Sequence, residues 1–349
     1  MMKVTYVTVD PFRYPRVKKI AYSLRKIPKV KFDILVPRIR LTKDGGFFRR
    51  VLNATINYLA LILQIFWVKS DVFWVANSPD VLVVPLILRR RKYILEYRSP
   101  WPLEVEREIG YKFFVWLAKF LERLALTHAW VITLTSSKLA ARIEAFKKPF
   151  FIIPNYPLES FGKFTSNCKV FREKQSCLED TKVVLFIGRL SYIEGADLLP
   201  PIIEKVLKIT DNVVFWVVGD GPLYNVLEQF SRRYVDKVKL FGWQTYEVIP
   251  IFICSADVCI APRHKTPFSV FYNEEGLQKI SEYMFFEKPI VACGVAGSKE
   301  YLLVGEDEMA DGILRALRGE VPKSKRRTWE EHSEKKIIEM FNMICSEKI

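Results

Sequence analysis

Histidine is scarce in this chain. His128, His264 and His332 are the three among 349 residues, too few for a histidine-rich metal site. No Asp-x-Asp pair closes a strand-like run either, so no metal ligand is assigned and metal dependence is not expected. Six cysteines are present: Cys168, Cys177, Cys254, Cys259, Cys293 and Cys345. Cys254 and Cys259 stand in a C-x4-C spacing without companion ligands for zinc. With Cys293 they lie in apolar runs, where a free thiol acts as a small hydrophobe. That usage fits a reducing, cytoplasmic setting. No apolar leader behind a charged start is seen, because Lys3–Val9 already reads as a strand. One long charge-free run exists, the eighteen residues Val51–Val68, broken by Asn53, Asn57, Tyr58 and Gln64. It is borderline for crossing a bilayer. We read it as a helix buried between a sheet and neighbouring helices rather than a membrane span.

Acidic residues are thin in the first half. Residues 1–150 carry 28 Lys/Arg against 11 Asp/Glu, whereas the remaining 199 carry 26 against 28. The whole positive excess of the chain is therefore N-terminal. Such asymmetry points to a polyanionic partner, an anionic membrane or a phosphorylated acceptor. Nucleic acid is not expected, because no recognition motif accompanies the charge. Basic and aromatic residues around Phe47 suit peripheral attachment to a membrane face.

Strand-like apolar runs alternate with helical patterns throughout, which argues a parallel α/β sheet in each half. Half of the residues are apolar, enough for two cores. Tyr156–Asp180 is polar and aperiodic. The expected organisation is an N-terminal Rossmann-like domain over 1–155, a linker over 156–181, a C-terminal Rossmann-like domain over 182–328 and a last helical stretch over 329–349.

Asn273–Gly294, NEEGLQKISEYMFFEKPIVACG, carries the chemistry. Glu274, Glu275 and Gly276 read as a loop, and a helix is expected from Gly276, with Leu277, Ile280 and Met284 on its buried face. The unpaired N–H groups of its first turn suit a phosphate. Glu274 then stands beside the anion, with Glu275 as the neighbouring alternative, and Glu282 lies along the helix as an acceptor for hydroxyls. A phosphate cradle flanked by two carboxylates is what a nucleotide sugar needs.

This segment resembles the E-x7-E signature of the retaining family-four glycosyltransferases of GT-B fold. Val183–Leu190 (VVLFIGRL), Phe215–Pro222 (FWVVGDGP), Val238–Gly242 (VKLFG) and Ala256–Pro262 (ADVCIAP) resemble the strands of that family's C-terminal domain. Phe151–Asn155 (FIIPN) resembles the last strand of its N-terminal domain. The resemblance implies two Rossmann-like domains facing each other across a cleft, with the last helix crossing back to the first. It also implies a nucleotide diphospho-sugar as co-substrate without a further cofactor, and transfer to an acceptor hydroxyl with retention of configuration. Arg189 and Glu274 take catalytic roles under it, and Gly188, Gly276, Leu277 and Glu282 hold the donor. The base is expected at Gly242 and Trp243.

Two departures stand out. The family usually has a lysine five residues after the arginine, and here that residue is Glu194. Lys279, three residues before Glu282, is either the replacement cation for the diphosphate or a surface lysine. The first loop, Asp10–Arg16, holds Arg13 and Arg16 where relatives place glycines. Either arginine holds an acidic acceptor or is plain surface charge. Arg98 stands where many relatives carry a histidine, and with Trp101 and Pro102 it resembles members acting on lipid-linked acceptors. The expected enzyme is thus a glycosyltransferase acting on a glycan, glycolipid or lipid-linked saccharide. The alternatives are a nucleotide-sugar epimerase, a sugar phosphorylase or a weakly catalytic binding protein on the same fold.

Overall fold

The computed structural model describes residues 1–8, 15–37, 47–77, 79–163, 165, 167–175 and 180–346, without side chains for 47–51, 54 and 108. Arg13 and Cys177 fall outside the described residues. Among the described residues the strands form two six-stranded sheets, parallel throughout. The chain divides into two compact units, residues 1–154 with 332–349, and residues 155–331.

The first unit contains β1 (Met2–Val7), β2 (Val30–Leu35), β3 (Val72–Ala76), β4 (Tyr93–Tyr97), β5 (Val131–Leu134) and β6 (Phe150–Ile152). Their order across the sheet is β2-β1-β3-β4-β5-β6. β3, β4 and β5 are almost wholly buried, as expected for parallel strands covered on both faces. The connecting helices are α1 (Pro15–Leu24), α2 (Phe47–Trp67), α3 (Val84–Leu88), α4 (Trp101–Glu108), α5 (Lys112–His128) and α6 (Ala140–Ile143). Pro15 opens α1 at the position where proline's missing N–H costs nothing. Arg16, expected in a loop, is therefore a helix residue.

α2 corrects a second expectation. Of its described side chains only Leu61 and Ile65 are buried in the core, while Leu52, Leu59, Leu63 and Trp67 are exposed. It is a surface helix with an apolar outer stripe, not one enclosed on all sides. No described helix is long and apolar enough to cross a membrane.

The second unit contains β7 (Lys182–Ile187), β8 (Val213–Val218), β9 (Val238–Leu240), β10 (Val258–Ala261), β11 (Ile290–Ala292) and β12 (Leu302–Leu303), in the order β12-β11-β10-β7-β8-β9. Its helices are α7 (Cys168–Lys174), α8 (Leu199–Leu207), α9 (Tyr224–Arg233), α10 (Ile249–Ser255), α11 (Gln278–Phe285) and α12 (Met309–Leu317). Two cores lie on the two faces of this sheet, one against α8, α9 and α12, the other around Trp216, Tyr283 and Phe285.

The segment expected as a linker is built into this second unit. Phe161 packs on Tyr246 and Phe285, and Phe171 of α7 packs edge-on to Trp216 and Phe252. A disulfide joins Cys168 to Cys254 of α10. Cys254 is thus a cross-link and not a lone apolar thiol; Cys259 and Cys293 are free and buried.

After Glu331 the chain returns to the first unit. The last helix, α13 (Lys335–Cys345), packs on α1 and β6, with Phe341 against Trp74. Glu334 accepts from Lys26 at 2.8 Å and from Ser23.

The ends of β7 and β8 meet closely. Gly219, with φ +146°, sits so near the Gly188 carbonyl that an added Cβ would lie 1.8 Å from its oxygen. Gly219→Ala is expected to destabilise the protein by about 3 kcal/mol or more, through strain plus a backbone clash. An unchanged midpoint in urea unfolding would contradict this packing.

Candidate active site

In the second unit the chain runs β7-β8-β9 outward in one direction and β10-β11-β12 in the other. The reversal lies between β7 and β10, and ligands of open parallel sheets bind at the carboxyl ends of strands at such a point. Gly188 and Arg189 follow β7, and Arg263 follows β10 by two residues. α11 brings the E-x7-E segment to the same strand ends: Lys279 Nζ lies 2.9 Å from where a Cβ of Gly188 would stand, and 4.6 Å over the Phe186 ring.

The first departure noted in the sequence resolves here. Glu194 is held between two cations, Lys279 Nζ at 2.7 Å and Arg263 Nη1 at 2.6 Å. Burial works against its ionisation, but Lys279 and Arg263 outweigh that and hold the carboxyl at about 2. Lys279 and Arg263 are both buried, so Lys279 is no surface lysine. Two cations against one carboxylate leave the cluster with one net positive charge. Arg263 was missed in the sequence; an arginine directly after an apolar strand and its proline was the available signal.

α11 begins two residues later than expected, at Gln278. The Gly276 and Leu277 N–H groups donate to the Asn273 carbonyl, closing the preceding turn. The amides without a backbone acceptor in the described structure are therefore those of Gln278 and Lys279. The Asn155 N–H donates to the Glu275 carbonyl at 2.6 Å, and Ser281 donates to the Asn155 carbonyl.

Glu274 is buried, and burial raises its pKa despite a bond from Ser298. Its Oε2 has no hydrogen-bond partner among the described residues. Glu275 is less buried and turned to Asn273, so Glu274 is the better placed of the pair. Glu282 is buried too. It accepts from Gln278 Nε2 at 2.6 Å and from the Tyr246 hydroxyl, whose pKa is pushed up by burial and by this carboxylate. Arg189 is exposed, with no ion pair or side-chain hydrogen bond among the described residues. The Gly242 carbonyl accepts from Gly219 N–H at 2.8 Å, and Trp243 beside it is exposed. His264 was also missed: it bridges Asp197 and Glu306 at 2.8 and 2.9 Å, fixing the loop after β10.

The acceptor-side candidates belong to the first unit. There Glu96, fully buried on β4, binds Arg16 Nε and, at 3.0 Å, Arg98 Nη2, and accepts from the Tyr6 hydroxyl at 2.5 Å. Burial opposes ionisation of Glu96, yet Arg98 and Arg16 lower its pKa to about 2. Arg16 also reaches the Pro154 carbonyl and is buried, so it serves this internal ion pair rather than surface charge. Arg98 is partly exposed, its backbone pinned by Asn77 and Thr135. Glu96 was not singled out in the sequence; one acid inside YILEY was its signal.

Residues 181–318 match the family described as glycosyl transferases group 1. A stretch of 149 residues is 30% identical to the GPI3 subunit of phosphatidylinositol N-acetylglucosaminyltransferase from Saccharomyces cerevisiae, covering 41% of this chain and 32% of that protein. The chain thus spans about a third of that relative's length. An uncharacterized glycosyltransferase of Methanocaldococcus jannaschii, MJ1059, is 23% identical over 317 residues, 85% of this chain and 74% of its own. Among solved structures, Anabaena Alr3699/HepE in complex with UDP superposes with a TM-score of 0.65 at 13% identity, covering 99% of this chain and all of that one. The fold is GT-B, as the sequence resemblance implied.

Because the Glu194 pKa is depressed, its pairing stabilises the fold above the ordinary carboxyl value of 4.5 and loses that contribution as pH falls towards 2. Glu194→Gln is expected to cost about 3 kcal/mol near neutral pH. The gap to wild type should close over that acid window in denaturant titrations. A gap independent of pH would exclude the ion pair as its source.

Proposed function

Because residues 181–318 match the glycosyl transferases group 1 and the fold is GT-B, we propose that this protein transfers a sugar from a nucleotide diphospho-sugar to an acceptor hydroxyl with retention of configuration. One observation carries the reading. A buried carboxylate, Glu274, has an unpartnered oxygen and precedes α11, whose first turn presents two uncommitted N–H groups beside a net-positive cluster.

In this reading the diphosphate takes the Gln278 and Lys279 amides, at the positive end of α11. Arg189 and the cluster of Lys279 and Arg263 stabilise the charge that develops on it. Glu194 offsets one cation and fixes the direction of both. Glu282, oriented by Gln278 and Tyr246, retains lone pairs for the ribose hydroxyls. Glu274 binds the sugar's hydroxyls through its free oxygen. The anomeric C–O bond to phosphate breaks as the acceptor oxygen attacks from the same face, and the acceptor proton passes to the departing phosphate oxygen. No metal takes part.

On the acceptor side Arg98 is the partly exposed member of the Glu96 cluster. With the basic N-terminal half it favours a lipid-linked or phosphorylated acceptor at an anionic membrane face; the Cys168–Cys254 disulfide removes the free-thiol argument for a reducing setting.

Thermal-shift measurements with UDP-, GDP-, ADP- and TDP-sugars test the donor site. One nucleotide class should raise the melting temperature, and Glu282→Ala and Lys279→Ala should each weaken its binding by on the order of tenfold or more. No shift with any donor would overturn the assignment. Transfer should persist in chelator, and its loss there would remove the metal-independent mechanism.

A further inference from the structure

The helices on one face of the first sheet leave an apolar outer surface uncovered. With right-handed crossovers, α1 lies on one face of the sheet and α2, α3 and α5 lie on the other, since the connection from β1 to β2 runs opposite to those that follow. α2 and α5 both pack on the turn Asp80–Val83, which places them in one layer. The outward sides of both helices are the unusual feature.

On α5, residues 112, 113, 116, 119, 120, 123 and 127 fall within an arc of about 120° at the helical period. That arc holds three aromatics (Phe113, Trp116 and Phe120), three cations (Lys112, Lys119 and Arg123) and Thr127; it holds no acid. Phe113, Trp116 and Phe120 are 64%, 61% and 51% exposed, so the rings face solvent rather than the core. Trp116 stacks on Phe120 at 5.9 Å and Phe113 lies tilted against Trp116 at 6.2 Å, forming a continuous patch. The acid of this helix, Glu122, points away from the arc and is tied to Arg142 and Tyr97.

α2 adds Leu52, Leu59, Leu63 and Trp67 as an exposed stripe within the charge-free run 51–68. Exposed Leu88 ends α3, and the exposed cations Arg89, Arg90, Arg91 and Lys92 follow it, Arg89 donating to the Phe66 carbonyl near the end of α2.

We infer that the outer face of α2 and α5 is a membrane-docking surface, its aromatics and leucines entering the headgroup boundary and its cations meeting anionic lipid. A helix whose one side carries rings and whose flanks carry only Lys and Arg fits an anionic interface. The inference rests on the membrane-side acceptor proposed above and supplies the surface through which the chain reaches it; Phe47, where the sequence placed attachment, opens α2, and its side chain lies outside the described ones.

The test is flotation of the full chain with vesicles of phosphatidylcholine alone and with phosphatidylglycerol added. Recovery is expected with the anionic vesicles only, and added salt should reduce it. The triple change Phe113→Ser, Trp116→Ser, Phe120→Ser should lower partitioning by on the order of tenfold or more. Its circular dichroism melt should stay unchanged, because the three rings are exposed. Lys112→Ala, Lys119→Ala, Arg123→Ala should abolish the preference for anionic lipid. Brominated lipid should quench the fluorescence of wild type more than that of Trp116→Phe.

Equal flotation of wild type and the aromatic variant would overturn the proposal, as would failure to bind anionic vesicles. A wild-type dimer that the aromatic variant converts to monomer, without change in flotation, would assign the face to a second copy instead. Nucleotide thermal shifts run alongside separate the two readings: vesicle binding without any donor binding sinks the transferase and leaves the surface standing.

Discussion

Each unit of this protein is organised around a carboxylate held between two cations at the carboxyl end of its sheet, fully buried in the first unit and half-buried in the second. Glu96 lies between Arg16 and Arg98 in the first unit, and Glu194 between Lys279 and Arg263 in the second. Such clusters are weak sources of stability, because desolvation consumes much of the attraction, but breaking one leaves a buried charge uncompensated. What they give is direction. A flexible lysine and arginines drawn from three elements are fixed at the strand ends without occupying all their N–H donors, and each cluster keeps one positive charge. Glu194, which stands where the family usually has a lysine, is the group that sets the two cations in place.

The strands were legible because parallel strands buried on both faces read as unbroken apolar runs, as in VVLFI and VVFWVV. Lys279 stayed open between a diphosphate cation and a surface lysine until its burial and its Glu194 partner were seen, whereas the E-x7-E carboxylates and the glycine at the end of β7 were legible through local spacing. Arg263, Glu96 and His264 were not, since their partners lie 69, 80 and 42 residues away and only the sheet brings them together. The start of α11 was misjudged by two residues because Asn273 closes its own loop first, a choice made by carbonyl geometry rather than residue type. Segment 156–181 looked like a linker because its packing residues, Phe161 and Phe171, are isolated among polar ones.

α2 shows a different limit. Its composition is apolar all round, which is equally consistent with burial, a bilayer span or an interfacial position. Only the positions of Leu61 and Ile65 against the core distinguish them, leaving the remaining leucines outside. Net charge, in contrast, was visible from the start, although the arc of α5 that concentrates it beside aromatics required the helix phase.

The return of α13 to the first unit has a consequence for how the molecule is made. Ile337, Met340 and Phe341 are buried there, and Ser333 donates to the Pro154 carbonyl at 2.6 Å. The surface around Trp74 that they cover is synthesised some 270 residues earlier. On a ribosome working from the N-terminus the first sheet therefore waits, partly uncovered, until almost the whole chain has emerged. The second unit, contiguous from 155 to 331, can close before it. The half of the protein that begins first is thus the one completed last.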